Sequence, residues 1–250
     1  MPEPGDLTLS NKYSNNVIVI RKEMTSATSG GGVAVASPES RGEVRLPLLL
    51  LALAAFAAVA VDAFAIIGRS TTGFDLGVAR ALQAVPWGPL TTFYSASDWL
   101  DGLKQVALAV LGVVLVAIFN RRGFFLMVWG ALSGGAYTLL EMIVQRPRPE
   151  ASLVHVLRHS SGYSFPSGHL VFYTWFLSYL VLILVRRHVP NAIYLASWAI
   201  VTVLLALVAI GRVYSGEHWP SDVLAGLLLG TGWALLGLSV RRLSDPVLNG

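Results

Sequence analysis

The chain has 250 residues, 54% of them hydrophobic and only 13% charged, with a formal net charge of +4 and no cysteine. A soluble domain carries about 25% charged residues; half that share leaves too little polar surface to coat a globule in water, and lipid is the solvent that remains. The missing cysteines exclude disulfides, thiolate catalysis and cysteine-ligated zinc, and basic residues set at the ends of apolar runs do not make the patch of a nucleic-acid binder.

Residues 1–43 are rich in Ser, Thr, Gly and Asn and include the run Ser29-Gly30-Gly31-Gly32. This composition predicts a disordered cytoplasmic tail. The first long apolar run begins only near Leu46 and is too long for a signal-peptide core. A membrane span needs about 20 apolar residues, and six stretches qualify: 46–68 with one charge, Asp62; 102–120; 124–145 with Glu141; 169–185; 192–211; and 222–240. The expected fold is an all-α membrane protein, a six-transmembrane-helix bundle over residues 44–243, with a short C-terminal tail at 244–250. Between the first two spans, residues 74–85 place apolar side chains at helical spacing, which predicts a short interfacial helix. Trp87, Tyr94 and Trp99 beside it suit an interfacial aromatic belt. Gly130, Gly134 and Gly135 in the third span are expected to allow close helix packing.

Orientation follows from the loops. Arg41 and Arg45, Arg121 and Arg122, Arg186 to His188, and Arg241 and Arg242 fall on one face when the spans are even in number. The positive-inside rule makes that face cytoplasmic, with both termini there. The connections 146–168 and 212–221 then lie outside, yet they hold Arg146, Arg148, Arg158 and Arg212 beside Glu217, His218 and Asp222. Basic residues on the translocated side need another reason, and binding an anion is one. Arg146 reads either as a helix anchor or as part of such a site.

Three short segments of these outer ends carry chemistry: Arg146-Pro147-Arg148-Pro149, Pro166-Ser167-Gly168-His169, and Arg212 with His218 and Asp222 after it. Phosphoryl transfer is catalysed chiefly by positioning and charge stabilisation. Arg148 and Arg212 each offer phosphate a planar fork of donors without metal. Pro147 and Pro149 stiffen the backbone around Arg148. Ser167 and Gly168 precede a helix, where backbone N–H groups face an anion and glycine permits close approach. His218 and Asp222 are four residues apart, so on a helix the carboxylate would hold the imidazole in one tautomer.

These segments resemble the three motifs of the type 2 phosphatidic acid phosphatase (PAP2) superfamily: Lys, six residues, Arg-Pro; Pro-Ser-Gly-His; and Ser-Arg, five residues, His, three residues, Asp. The likeness spans roughly residues 45–242. It implies His218 as a nucleophile forming a phosphohistidine, Asp222 as its orienting partner, and His169 as the acid that protonates the leaving oxygen. It implies Arg148, Arg212, Ser167 and Gly168 as the phosphate cradle, with no metal and no other cofactor. Two positions depart from the pattern. Glu141 stands where the family has lysine, and Gly211 where it has serine. The first reverses a charge, and Glu141 is expected to pair with Arg148, Arg146 or Lys104 or to touch the substrate.

Other polar residues carry simpler expectations. Asp62, near the outer end of its span, should pair with an exterior-side base or reach water. His155, His159 and His188 read as structural, with no ligand set to complete a zinc site. Tyr214 and Trp219 suit an aromatic belt. The implied activity is a phosphatase on a lipid phosphate or diphosphate, with polyprenyl diphosphate, phosphatidylglycerol phosphate and phosphatidic acid as natural substrates in a bacterial plasma membrane, acting at the outer face. The same residues would serve a lipid-linked phosphotransferase, and the lost lysine would suit a non-catalytic lipid-binding or transport member. Membrane lipid is the expected partner, and nucleic acid is not.

Overall fold

The computed structural model describes residues 43–249 other than Arg187, with backbone alone at residues 95–99. The expected tail over 1–43 therefore lies outside the described residues except for Glu43, as does Arg41 of the first basic cluster. Among the described residues there is no strand, and ten α-helices follow one another: α1 Leu46–Ile66, α2 Gly73–Gln83, α3 Leu90–Trp99, α4 Leu103–Phe119, α5 Phe124–Ala131, α6 Ser133–Val144, α7 Gly168–Leu180, α8 Asn191–Tyr214, α9 Pro220–Ser239 and α10 Arg241–Leu248.

Five helical stretches are long and apolar enough to cross a bilayer: Leu46–Ile66, Arg121–Val144, Gly168–Val185, Asn191–Tyr214 and Pro220–Ser239. The second joins a 3₁₀ turn at Arg121–Gly123 to α5 and α6, which are offset at Leu132, and the third ends in a π-helical turn at Val181–Val185. The second stretch expected to span is α4, apolar from Val106 onward but only 17 residues long in all, at the lower edge of spanning length. The helix expected over 74–85 is present as α2, capped by Thr72, whose hydroxyl accepts the Asp75 N–H at 3.2 Å. Helix α10 corrects the expected tail at 244–250. Its Ser244 and Val247 are buried, and Arg45 binds Ser244 and Asp245.

The core is built on α7 and α9, the most enclosed of the spans. They run parallel and in close contact because glycines of α9 lie against the backbone of α7. A Cβ on Gly226 would stand 2.6 Å from the Ser167 carbonyl oxygen, and one on Gly230 2.7 Å from that of Val171. Helix α5 runs against α7 through Gly130, where a Cβ would meet the Trp175 ring at 2.2 Å. It is tied to α9 by Trp129 and Trp233, stacked at 5.0 Å, each indole N–H donating to the other's backbone carbonyl. Gly134 and Gly135 do not share this role, since a Cβ on either would meet nothing within 4 Å. Helices α1 and α8 turn residues such as Leu50, Phe64, Leu195 and Ile200 outward, as a lipid-facing surface requires.

These contacts put the C-terminal ends of α1, α6 and α8 and the N-terminal ends of α4, α7 and α9 at one end of the bundle. The other end is basic and is held by ion pairs and short bonds. Arg242 pairs with Glu43 at 2.9 Å, Val44 and Val240 form an isolated backbone bridge, and the Asn120 amide donates to the Ile183 carbonyl at 2.7 Å.

Because backbone oxygens block both glycines of α9, Gly226→Ala and Gly230→Ala should each lower the melting temperature in detergent by an amount corresponding to about 1–3 kcal/mol. Gly226→Ala should also lower kcat, because it displaces Ser167 beside His169. Wild-type melting for both variants would show that close backbone packing does not hold α7 on α9.

Candidate active site

Helix α6 ends at Gln145, which takes a left-handed φ of +47°. The chain then turns across the end of the bundle as Arg146-Pro147-Arg148-Pro149, where the prolines keep it from continuing as helix. Arg146 points inward and is 1% exposed. Its Nη1 donates to Asp222 at 2.6 Å and to the Ser221 hydroxyl at 2.7 Å, and its Nη2 to Asp75 at 2.5 Å. Trp219 lies 5.9 Å from the guanidinium carbon, so it is a buried support and not the belt residue expected. Asp75 also accepts the N–H and hydroxyl of Ser221 at 3.0 and 2.7 Å. Burial pushes its pKa up, but these donors and the Arg146 charge outweigh that and hold the carboxyl below its ordinary range.

His218 is oriented differently from the sequence expectation. Its Nδ1 lies 2.8 Å from the Ser164 carbonyl oxygen. A carbonyl can only accept, so Nδ1 carries the proton and Nε2 keeps its lone pair. Asp222 Oδ2 is 3.9 Å from Nδ1, beyond hydrogen-bond reach. That oxygen accepts the Trp219 N–H at 2.8 Å and the Ser164 hydroxyl. Asp222 therefore reaches the imidazole through Ser164, whose hydroxyl it binds and whose carbonyl holds the ring. Burial, followed by the charges of Arg148, Arg212 and His169, keeps the His218 pKa well below the usual imidazole value, against the opposing pull of the Ser164 carbonyl.

Arg148 is fixed by three main-chain carbonyls. Nε donates to Gly162 at 3.2 Å, Nη2 to Ser161 at 3.2 Å and Nη1 to Glu217 at 2.8 Å, which leaves Nη1 3.4 Å from His218 Nε2. Gly168 and His169 open α7, so their N–H groups lie in the first turn, where a helix provides no acceptor. Nε2 of His169 is buried without a hydrogen-bond partner, which is rare enough to need a reason. Arg148, Gly168, His169 and His218 all line one cavity of about 1190 Å³. At that end Lys104 and Arg158 also line it, while Val106, Val110, Val113, Phe172 and Trp175 form walls along α4 and α7.

The remaining expected residues stand apart from the cavity wall. Arg212 is fully buried, and its Nη1 donates to Glu217 at 2.8 Å. Ser167 is buried, and its N–H is taken by the Asp222 carbonyl at 2.9 Å, so only its hydroxyl remains for another partner. Glu141 pairs with none of the expected cations; its Oε1 accepts the Tyr163 N–H at 3.2 Å. Gly211 is explained by Tyr94, whose ring would stand 2.7 Å from an added Cβ. Tyr94 is thus a core residue and not part of a belt. Asp62 has a buried Oδ2 without a hydrogen bond, so its expected pairing with a base is not made. Among the described residues no three His, Asp or Glu side chains group as metal ligands.

Sequence reasoning missed Asp75, Ser164 and the inward turn of Arg146. The local signal of Asp75, three residues after Thr72 at the start of an amphipathic stretch, is that of a helix cap, which it also is. Nothing in the pattern tied it to Arg146, 71 positions later.

The PAP2 superfamily model matches residues 122–244. Phosphatidylglycerophosphatase B of Bacillus subtilis is 36% identical over 186 residues, covering 67% of this chain and 83% of that protein. The Escherichia coli protein named "Putative undecaprenyl-diphosphatase YbjG" is 38% identical over 86 residues, 34% of this chain and 38% of that protein. The crystal structure of a transmembrane PAP2-type phosphatidylglycerolphosphate phosphatase from Bacillus subtilis superimposes with a TM-score of 0.60 at 23% identity, covering 74% of this chain and 92% of that one.

Breaking a buried ion pair by removing one partner costs about 3–5 kcal/mol, so Arg146→Met, which leaves Asp75 and Asp222 without their shared cation, should melt far below wild type. Asp75→Asn should cost less at neutral pH. A carboxyl whose folded pKa is depressed stabilises above its unfolded value and loses that contribution on acidification. The melting advantage of wild type over Asp75→Asn should therefore shrink as pH falls below about 4. A pH-independent difference would show that the Asp75 charge contributes nothing.

Proposed function

The chain belongs to the PAP2 superfamily, and from that premise we propose that it is a metal-independent lipid phosphate or diphosphate phosphatase working through a phosphohistidine at the outer leaflet of a bacterial plasma membrane. In this reading residues 44–243 are the catalytic unit, α4 is a sixth span, and the basic end of the bundle faces the cytoplasm. The observation that carries the proposal is the shape of the cavity. Its polar end holds the Nε2 of His218, His169 and Arg148, and its apolar side extends along α4 from Val106 to Val114, about 12 Å at helical rise. Helix α4 packs on α5 and on the 3₁₀ turn near the opposite end, so the slot lies between helices where a hydrocarbon tail could remain in the membrane while its phosphate reaches the histidines.

The chemistry follows from the hydrogen bonds. The Nε2 lone pair of His218 attacks phosphorus, the bond from phosphorus to the ester or bridging oxygen breaks, and His169 gives that oxygen a proton. His169 then takes a proton from water, which attacks the phosphohistidine and releases inorganic phosphate and neutral His218. Ser164 holds Nδ1–H throughout, and positive charge gathering on the ring is stabilised by Asp222 through Ser164. Arg148 and the first-turn N–H groups of α7 meet the equatorial oxygens, with the buried Ser167 hydroxyl beside them. Arg212 acts from behind, through Glu217 and the charge it sets near His218. Glu141 accepts the Tyr163 N–H, and a non-catalytic member would show no turnover above a His218→Ala control. Water and alcohol acceptors would use the same groups, so phosphate release without an added acceptor distinguishes hydrolysis from transfer.

Purified protein in EDTA should release phosphate from at least one of polyprenyl diphosphate, phosphatidylglycerol phosphate and phosphatidic acid. His218→Ala should abolish turnover, and His169→Ala should lower it by about 10²–10⁴. Equal release by His218→Ala would end the reading.

A neutral nucleophile with a depressed pKa places the acidic limb of kcat below the ordinary imidazole value of about 6.5. Removing a neighbouring cation favours imidazolium, so Arg148→Gln should move that limb to higher pH on the same substrate, whose own ionisation is common to both. A limb that does not move would mean that Arg148 does not tune His218.

A further inference from the structure

The family places a lysine where this chain has Glu141, and that side chain accepts the Tyr163 N–H and is hydrogen-bonded to Tyr137. The cavity nevertheless holds two more cations beside Arg148. Lys104 comes from the first turn of α4 and Arg158 from the connection before α7, and both line the cavity with the catalytic pair. Asp101 joins them: its Oδ2 is 3.2 Å from Arg158 Nη2, and its Oδ1 is 3.9 Å from Lys104 Nζ. Arg158 Nε also lies 3.4 Å from Oε1 of Glu217, the residue before His218, whose main-chain carbonyl binds Arg148. The guanidiniums of 148 and 158 are therefore anchored on the same residue, one by its backbone and one by its side chain. Lys104 and Arg158 are 44% and 38% exposed at the side chain, so solutes reach them, whereas Arg146 and Arg212 are sealed in the protein.

Ion pairs this exposed contribute little to stability, and basic residues at the outer face run against the charge rule. A ligand with its reacting phosphate at His218 and Arg148 would extend toward Arg158 and then Lys104. We propose that Lys104 and Arg158 form a second-anion subsite, which recognises a second phosphate group of the substrate next to the one that is transferred. This rests on the phosphatase reading and narrows it to substrates with two phosphates: a diphosphate ester, or a headgroup whose phosphodiester follows a few atoms after the terminal phosphate. Arg158 offers a fork suited to phosphate and Lys104 a mobile point charge, so the function of the missing lysine is moved from α6 to α4 and shifted outward along the substrate.

The test uses the full chain in detergent and has a readout independent of turnover. Binding of inorganic pyrophosphate and orthophosphate is measured for wild type, Lys104→Gln, Lys104→Arg and Arg158→Gln. Wild type should prefer pyrophosphate by tenfold or more, Lys104→Arg should keep most of that preference, and the two glutamine variants should lose most of it. The same variants are then assayed on polyprenyl diphosphate against polyprenyl phosphate, and on phosphatidylglycerol phosphate against phosphatidic acid. The pair whose kcat/KM ratio falls about tenfold in the glutamine variants identifies the source of the second phosphate. An unchanged pyrophosphate preference in Lys104→Gln and Arg158→Gln, or no preference in wild type, overturns the proposal. A preference that disappears as expected, in a protein that hydrolyses none of the lipids, would retain the subsite and sink the phosphatase reading instead.

Discussion

The buried guanidinium of Arg146 is the interaction on which the rest of the site depends. It joins Asp75 of α2, the end of α6, and Ser221 and Asp222 of α9 into one charge-paired unit without access to water. A buried ion needs nearly every donor and acceptor satisfied, and this one fixes positions as a result. Asp222 is held on one side by Arg146 and on the other binds the Ser164 hydroxyl and the Trp219 N–H. Ser164 in turn sets the ring of His218 and its tautomer. The imidazole of His218 is therefore oriented by a relay that begins at Arg146, two residues before Arg148. Asp222, 3.9 Å from Nδ1, is not its hydrogen-bond acceptor.

A second constraint is the lack of bulk between α7 and α9. Glycines let the two helices run parallel in backbone contact, and the Ser167 N–H donates to the Asp222 carbonyl where their first turns meet. One helix start carries His169, and the loop before the other carries His218. Van der Waals packing thus substitutes for the hydrophobic effect, which supplies little force between helices in lipid, and it brings His169 and His218, from two distant segments, to one cavity.

Much of this was legible in the sequence, and the reasons differ by element. Continuous apolar runs mark spans because a bilayer tolerates little else, so α1, α8 and α9 fall within a few residues of where composition places them. The motif residues Arg148, Gly168, His169 and His218 converge on one cavity as their placement at one face requires. What stayed hidden depends on direction and not on residue type. Arg146 and Arg148 are two residues apart and chemically identical, yet one turns into the protein and the other toward the cavity. Tyr94 looks like a belt residue until the small surface of Gly211 is seen to receive its ring. Asp75 explains itself locally as part of a cap, and that sufficient local reason conceals its long-range one.

The two departures from the family motifs now have separate physical meanings. Gly211 is a packing exchange: the space a serine side chain would need is filled by an aromatic ring from α3, and Arg212 remains fixed by Glu217. Glu141 is an electrostatic exchange. A carboxylate at the phosphate would oppose binding, but this one accepts a backbone N–H of the loop that also supplies the Ser161 and Gly162 carbonyls to Arg148. The negative charge thereby helps to hold the loop that holds the arginine. The position where the family has lysine here supports the loop that holds the neighbouring arginine.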